Sequence, residues 1–459
     1  MKCVAKTSSE IKLQWDKNTS ADGYMIDVYD GTKWKPIKTF TSNANTSFDI
    51  KGLKASLTYK FRMRAYKTFG SVTEYSDAVY LNVTTNPNTP TGMKCVAKTS
   101  SEIKLQWDKN TSADGYMIDV YDGTKWKPIK TFTSNANTSY DIVGLHAGTT
   151  YKFRLRAYKT FGSVTEYSAY SAELNVTTDP SVITGAVLGG RAADALRVNW
   201  NKNTSADGYI VEMYQGENWV SVAKITDNST TTFRKAGLAP STAYKFRVRA
   251  YKIDGKAELY GNYSSTVTAR TNPSVITGAV LGGRAADALR VNWSKNTSAD
   301  GYIVEMYQGE NWVRVAKITD NSTTTFKKAG LDASTVYKFR VRAYKMDGTT
   351  ALYGNYSSTV TARTNPSVMT GVKIGGVAND ALRVNWNKNA SAQGYIIEMY
   401  QGEKWVRVAK ITDNNTTTFR KAGLAKNTTY KFRVKAYYMS GKTALYGNYG
   451  SVSGKTAAK

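Results

Sequence analysis

The run Tyr244-Lys245-Phe246-Arg247-Val248-Arg249-Ala250-Tyr251 alternates, residue by residue, between an apolar side chain and a polar or amphipathic one. A period of two belongs to an extended strand with one wet face, because successive side chains leave opposite sides of a sheet. Tyr244, Phe246, Val248 and Ala250 are therefore expected in a core, and Lys245, Arg247, Arg249 and Tyr251 on the outside. The same alternation precedes this run. Leu196, Val198 and Trp200 form one inward set and Tyr209, Val211 and Met213 another, with Ile210, Glu212 and Tyr214 looking out. Slipping that second strand by one residue would bury Glu212 without a partner at a cost of several kcal/mol, so its register is set. Gly, Asn, Asp and Ser separate the runs at roughly 8 to 12 residues, and nothing reads as a helix, which is the pattern of an all-β sandwich.

This block of strands is written five times. Trp15, Trp107, Trp200, Trp293 and Trp386 recur at intervals of 92, 93, 93 and 93 residues. Residues 1–47 return unchanged as 93–139, and 181–200 as 274–293, which points to copying within the gene, a process that alters length or valency. The joints read Thr85-Asn86-Pro87, Thr178-Asp179-Pro180, Thr271-Asn272-Pro273 and Thr364-Asn365-Pro366. Cutting there gives modules 1–87, 88–180, 181–273, 274–366 and 367–459, each large enough to close a small core of its own. Links this short, partly stiffened by proline, lead to an elongated array of about 35 Å per module and roughly 170 Å in all, counting strand rise.

Leu238, Pro240, Thr242 and Tyr244, followed by Phe246, Val248 and Ala250, resemble the fibronectin type III pattern entering its sixth strand. The Trp of the second strand and the Gly-Tyr that opens the third complete it, and the set recurs as Trp15, Tyr24, Leu53 and Tyr59; Trp107, Tyr116, Leu145 and Tyr151; Trp293, Tyr302, Leu331 and Tyr337; and Trp386, Tyr395, Leu424 and Tyr430. The resemblance implies five tandem seven-stranded immunoglobulin-like sandwiches, in which those tryptophans are structural. It also implies that Tyr59, Tyr151, Tyr244, Tyr337 and Tyr430 bond back to backbone at a corner. Two departures stand out. The corner proline survives only as Pro240, and where the first module has Ile50 the last three have Lys235, Lys328 and Lys421, which are expected to snorkel at the sandwich edge. The Ser-Ala-Asp-Gly-Tyr loop, the Arg-Ala-Tyr-Lys strand end and the later Tyr-Gly-Asn-Tyr are similar to modules of gram-positive bacterial surface proteins and secreted polysaccharide-degrading enzymes. That likeness implies an extracellular or cell-surface setting, while a chain that reaches Lys459 with no sorting or anchoring motif reads as a segment cut from something longer, without its signal and anchor.

Sixty-three basic residues against 35 acidic give a formal net charge of +28. Such a surplus attracts polyanions, but the charges alternate with apolar residues along strands instead of forming blocks, so the expectation is weak polyanion attraction and no specific nucleic-acid site. No apolar run approaches a membrane span, so membrane insertion is not expected. Cys3 and Cys95 read as small buried thiols, since a bridge would have to join two modules. The only histidine, His146, stands in a loop where its counterparts are Lys54, Ala239, Asp332 and Ala425. No converging acids, bases or metal ligands and no phosphate-cradling glycine loop appear, so no catalytic residue, metal or cofactor is assigned.

What remains is a mixed aromatic and cationic outer face. Arg247, Arg249 and Tyr251 are placed beside Tyr214 and the second tryptophan of the unit, Trp219, with Tyr260 and Tyr263 in a loop between Lys252 and the last strand. Flat rings stack on sugars and guanidinium forks grip carboxylates or sulfates, so the face is a candidate platform for a glycan or for a host or bacterial surface protein. Against this, Arg249–Glu212 salt bridges and Arg-on-Trp stacking would be ordinary packing for a wet sheet. The leading reading is a non-enzymatic, monomeric extracellular stalk. A multivalent adhesin and a linker segment of a polysaccharide-degrading enzyme are its alternatives.

Overall fold

The computed structural model describes residues 1–459 and is built of strands alone, with no helix. The strands form ten sheets, three-stranded and five-stranded in alternation through the repeats. In the first repeat β1 (Lys2–Lys6), β2 (Ile11–Gln14) and β5 (Ser47–Ile50) make one sheet in the order β1-β2-β5. The other holds β3 (Gly23–Tyr29), β4 (Trp34–Phe40), β6 (Thr58–Phe69), β7 (Val72–Tyr75) and β8 (Val79–Thr84), in the order β4-β3-β6-β7 with β8 also paired to β6. Every pairing is antiparallel, as joined runs with one wet face require.

Each repeat thus has eight strand segments where the sequence leads to seven, because the last strand is in two pieces. β7 pairs with the far end of β6, Tyr66 opposite Tyr75, and β8 with the near end, Met63 opposite Val79. At the break Ser76 donates its N–H to the Ala65 carbonyl while its Oγ accepts from the Ala65 N–H, so the ladder is bridged where the chain leaves it. Ser264 bridges Val248 in the same way in the third repeat. The segment expected there as a loop from Lys252 is a tight hairpin. The sixth strand runs on to Asp254, Gly255 turns it with φ 62°, and Ala257–Tyr260 returns.

By backbone contacts the chain divides into two compact units. One comprises Met1–Ala186, Trp200–Thr231 and Arg247–Thr266, the other Val187–Asn199, Thr232–Phe246 and Val267–Lys459. The fourth repeat, within the second unit, shows how a core forms. Leu289, Val291 and Trp293 from one sheet meet Tyr302, Val304, Met306, Phe339, Val341 and Ala343 from the other, all at most 5% exposed. Trp293 takes Tyr302 edge-on at 5.3 Å between ring centres, a geometry in which positive edge meets negative face. Lys235, Lys328 and Lys421 are half-buried opposite Leu196, Leu289 and Leu382 on the three-stranded sheets.

Two tyrosines per repeat tie loops to this core. At the corner the hydroxyls of Tyr59, Tyr151, Tyr244, Tyr337 and Tyr430 accept from the N–H five residues upstream at 2.7–2.9 Å. Deeper in, the fully buried Tyr302 hydroxyl accepts from the Asn296 N–H at 3.0 Å and donates to the Asn321 carbonyl at 2.8 Å. The Asn321 side chain closes the circuit on the Ala299 carbonyl. Tyr302→Phe leaves the buried Asn296 N–H orphaned and is expected to cost the fourth repeat about 2 kcal/mol, whereas Tyr337→Phe, whose partner amide is exposed, costs about 1 kcal/mol or less. Hydrogen exchange resolved by repeat checks the ranking.

Candidate functional site

The outer face of the five-stranded sheet is where the sequence placed its candidate residues. In the third repeat Arg247 and Arg249 rise from the sixth strand, Trp219 from the edge strand Asn218–Ile225, Tyr260 from the hairpin and Tyr263 from the break in the last strand. The Arg247 guanidinium lies 4.4 Å from the Trp219 ring centre and 3.6 Å from that of Tyr263. Arg249 lies 4.1 Å from Tyr260 and 4.9 Å from Tyr263. Trp219, Arg247, Tyr263, Arg249 and Tyr260 therefore form a ladder of alternating ring and cation. Tyr214 flanks its end, 40% exposed, with its ring 5.4 Å from Trp219.

Beneath the ladder sits Glu212. Its strand position is on the outer face, as expected, but only 7% of it is exposed. Arg247 pairs with its Oε2 through Nη2 at 2.6 Å and Nε at 2.8 Å, and the Tyr263 hydroxyl donates to Oε1 at 2.7 Å. The expected pair of Arg249 with Glu212 is thus replaced by Arg247, which stands directly over the carboxylate, while Arg249 is engaged by rings.

Tyr251 requires a second correction. Expected outside with the arginines, it is 2% exposed. Its ring covers Gly208 so closely that a Cβ there would lie 2.8 Å from it, and Lys224 caps the other side at 4.8 Å. A ring laid over a strand glycine supplies the packing which the glycine lacks, so Tyr251 belongs to the sheet and offers no ligand surface.

The ladder recurs as Trp126, Arg154, Tyr170, Arg156 and Tyr167 over Asp119. In the fourth repeat it is Trp312, Arg340, Tyr356, Arg342 and Tyr353 over Glu305. The fifth has Trp405, Arg433, Tyr449, Lys435 and Tyr446 over Glu398. The first lacks the middle ring, with Ala78 in its place. There Arg62 and Arg64 share Asp27, and Tyr80 comes in beside Trp34 at 5.6 Å.

Burial, and then the bond to the acid, push the phenols of Tyr170, Tyr263 and Tyr356 above their usual value. Burial alone would raise Glu398, but Arg433, Tyr449 and Lys435 outweigh it and hold the carboxyl below the usual range. No group of three or more His, Cys, Asp or Glu side chains is placed to hold a metal ion. Cys3 and Cys95 are free thiols, pushed up by burial. The site's chemistry is that of one arginine bonded to a buried acid and a second cation held between rings, whose buried Nε in Arg64, Arg156, Arg249 and Arg342 has no hydrogen-bond partner.

A profile of the fibronectin type III domain matches residues 1–81, 88–173 and 186–268. The chain belongs to the fibronectin type III family. It is 26% identical over 446 residues to receptor-type tyrosine-protein phosphatase eta of Gallus gallus, a match covering 95% of this chain and 30% of that protein. Exoglucanase B of Cellulomonas fimi is 28% identical over 289 residues, 59% of this chain and 25% of that protein. Exoglucanase A of the same organism is 30% identical over 328 residues, 68% of this chain and 35% of that protein. The chain thus spans about a third or less of these relatives, and its tandem fibronectin type III modules resemble those of bacterial proteins.

Arg340→Ala leaves the buried Glu305 with only the Tyr356 hydroxyl and the more distant Arg342, 3.9 Å away, and is expected to destabilise the fourth repeat by about 3 kcal/mol. Arg342→Ala removes the contacts with Tyr353 and Tyr356 and the long 3.9 Å pair with Glu305, and costs about 1 kcal/mol; repeat-resolved hydrogen exchange separates the two. Because the folded phenols of Tyr170, Tyr263 and Tyr356 titrate above the unfolded value near 10, their contribution is intact below about pH 10 and is lost as pH rises through the folded value. An ultraviolet titration should show late-ionising phenols, one fewer in Tyr263→Phe.

Proposed function

We propose that this chain is a non-enzymatic spacer, a stalk segment of a bacterial surface or secreted protein that holds another domain at a fixed remove. The observation that carries the reading is the economy of the joints. At the first, the Asn86 N–H donates to the Thr7 carbonyl of the first repeat, and the Asn88 N–H donates to Ser112 Oγ of the second. Only Pro87 lies between, with its φ already restricted. Asp179 and Ser181 flank Pro180 in the same way, tied to the Thr99 carbonyl and Ser205 Oγ. Asn272 and Ser274 flank Pro273, and Asn365 and Ser367 flank Pro366, each bonded to its own side. Side chains add a second contact: Lys6 meets Glu166 at 2.5 Å, and Arg270 meets Asp347 at 3.1 Å. Links of this kind transmit orientation from module to module, where a Gly/Ser linker would lose it.

The engagement of the inner arginine of the ladder supports the same reading. A guanidinium held between two rings and bonded to a buried acid has little left for a ligand, and displacing it would strand the acid. The exoglucanase relatives support a neighbouring version, in which the stalk is the non-catalytic linker of a polysaccharide-degrading enzyme. An adhesin using the outermost Tyr214–Trp219 pair and its four counterparts is the second reading, since five weak sites can act together.

Small-angle scattering on the full chain should give a rod of about 170 Å, on the strand-rise reckoning. Replacing Ser112, Ser205, Ser298 and Ser391 with Ala should shorten the maximum dimension while each module stays folded. A compact particle for the wild-type chain would overturn the spacer. Specific retention on a neutral glycan array that is lost in Trp219→Ala would favour the adhesin.

A further inference from the structure

The opposite, three-stranded sheet carries an electrostatic anomaly that the ladder does not. In the first two repeats its cross-strand neighbours are Lys12 with Asp49 and Lys104 with Asp141, ion pairs at 3.7 and 3.4 Å. In the last three the same positions hold Arg197 opposite Arg234, Arg290 opposite Lys327 and Arg383 opposite Arg420. Like charges directly across a ladder repel, and a sheet does not gain by them. Simple copying is not the whole explanation, because the second member changes from Arg to Lys to Arg while its charge stays. Local relief is slight: Arg234 and Arg420 come only to 3.8 and 3.7 Å from Asp194 and Asp380, which are mostly exposed.

In repeats three and four the pair borders a depression made by the backbone, as the Lys104–Asp141 pair does in repeat two, so the lining charge and not the hollow is what differs. A bulge shifts the register between Leu188 and Gly190, and at Gly190 a side chain would meet nothing nearer than Arg197 Cβ at 3.9 Å. The hollow, about 240 Å³, is lined by Gly190, Arg191, Arg197 and Arg234. Its counterpart in the fourth repeat, about 260 Å³, is lined by Gly283, Arg284, Arg290 and Lys327. Arg191 is fixed at its rim by a hydrogen bond to the Arg270 carbonyl at 3.2 Å. All three like-charged pairs lie in one compact unit.

We propose that this sheet in repeats three to five is a repeated subsite for an acidic polysaccharide, with each cationic pair receiving one carboxylate or sulfate ester of the chain. A guanidinium fork matches the two oxygens of either group, and an anion between two cations converts their repulsion into attraction. Nucleic acid is the poorer fit. The outward residues of these strands, among them Arg197, Asn199, Thr232 and Arg234, include no ring on which a base could stack. The inference goes beyond the spacer and does not depend on it: a stiff stalk that grips an acidic polymer weakly along its side is still a stalk.

The test uses the full chain on immobilised polygalacturonate, dextran sulfate and neutral dextran at physiological salt, with single-stranded DNA as competitor. Retention on one or both acidic polymers and none on neutral dextran is expected, the two arms telling carboxylate from sulfate preference. The triple variant Arg197→Gln, Arg290→Gln, Arg383→Gln should lose about tenfold or more in affinity, since three linked subsites fail together. The control Lys17→Gln, Lys54→Gln, Lys109→Gln, with the same change in net charge, should lose less than about twofold. A second set, Arg234→Asp, Lys327→Asp, Arg420→Asp, rebuilds the pairing of the first two repeats. It should raise the melting temperature while abolishing retention, an outcome that a purely structural role for these cations would not give. Equal losses in the first two variants, stronger binding to DNA than to either polysaccharide, or no retention by the wild type would each overturn the proposal.

Discussion

A carboxylate placed on the wet side of a sheet and then roofed over organises the outer face of every repeat. Asp27, Asp119, Glu212, Glu305 and Glu398 occupy the same position on the third strand, and the first four are 8% exposed or less. A charge so far from water needs a cation at hydrogen-bonding distance, which fixes Arg62 and its counterparts one strand away. A guanidinium laid flat over an acid presents its own faces sideways, and rings on either hand shield them. The ladder therefore follows from the buried acid. Where the middle ring is present it uses the strand break, since it is there that Tyr263 leaves the last strand to reach both Glu212 and the guanidinium, but the break itself is kept in the first repeat, where Ala78 takes that place.

The five repeats act as a mutational series on this arrangement. Exchanging Glu for Asp shortens the acid, and in the first repeat both arginines converge on one oxygen of Asp27. Exchanging Arg for Lys at 435 replaces a planar cation by a point charge, which compensates by bonding Tyr449 Oη at 2.6 Å as well as nearing Glu398 at 3.5 Å. Removing the middle ring, as Ala78 does, leaves room that Tyr80 partly fills from the longer β8. The inner arginine, the edge-strand Trp and the hairpin Tyr are the same in all five repeats, while the acid alternates between Asp and Glu, the second cation once becomes Lys, and the middle ring is lost once, at Ala78.

The inward half of this fold was readable from the chain because burial follows a period of two. Tyr209, Val211, Met213, Phe246, Val248 and Ala250 are all 5% exposed or less, as the alternation requires. The outward half was not, for a physical reason. Alternation tells which side of a sheet a residue leaves from and is silent on what is laid over it afterwards. Glu212 and Tyr251 leave on the wet side and end buried, one under Arg247 and Tyr263, the other over Gly208 beneath Lys224. The glycine was the available signal for Tyr251: a strand that opens with Gly leaves a bare patch which a neighbouring ring can fill. The split last strand had a signal too, in the Ser three residues beyond Gly261, whose hydroxyl substitutes for a missing ladder bond.

Tandem copying adds a demand that single domains do not face, namely that a new copy must fit both neighbours on arrival. The joints meet it because each module carries both halves. On entry, Asn203 and Ser205 of the third repeat hold the incoming chain at Ser181. On exit, the buried Thr271 donates its hydroxyl to the Ala239 carbonyl and accepts from the Thr242 N–H, while Asn272 is bonded to Ala192. A duplicated module thus brings an entry that fits any preceding exit, and the backbone N–H groups on either side of the joining proline stay bonded. The surface charge is under no such demand, so the three-stranded face could move from Lys–Asp pairs to opposed cations without disturbing a core or a joint. In such an array the joint is the part that cannot drift, and the sheet face is where a new binding property can arise at little structural cost.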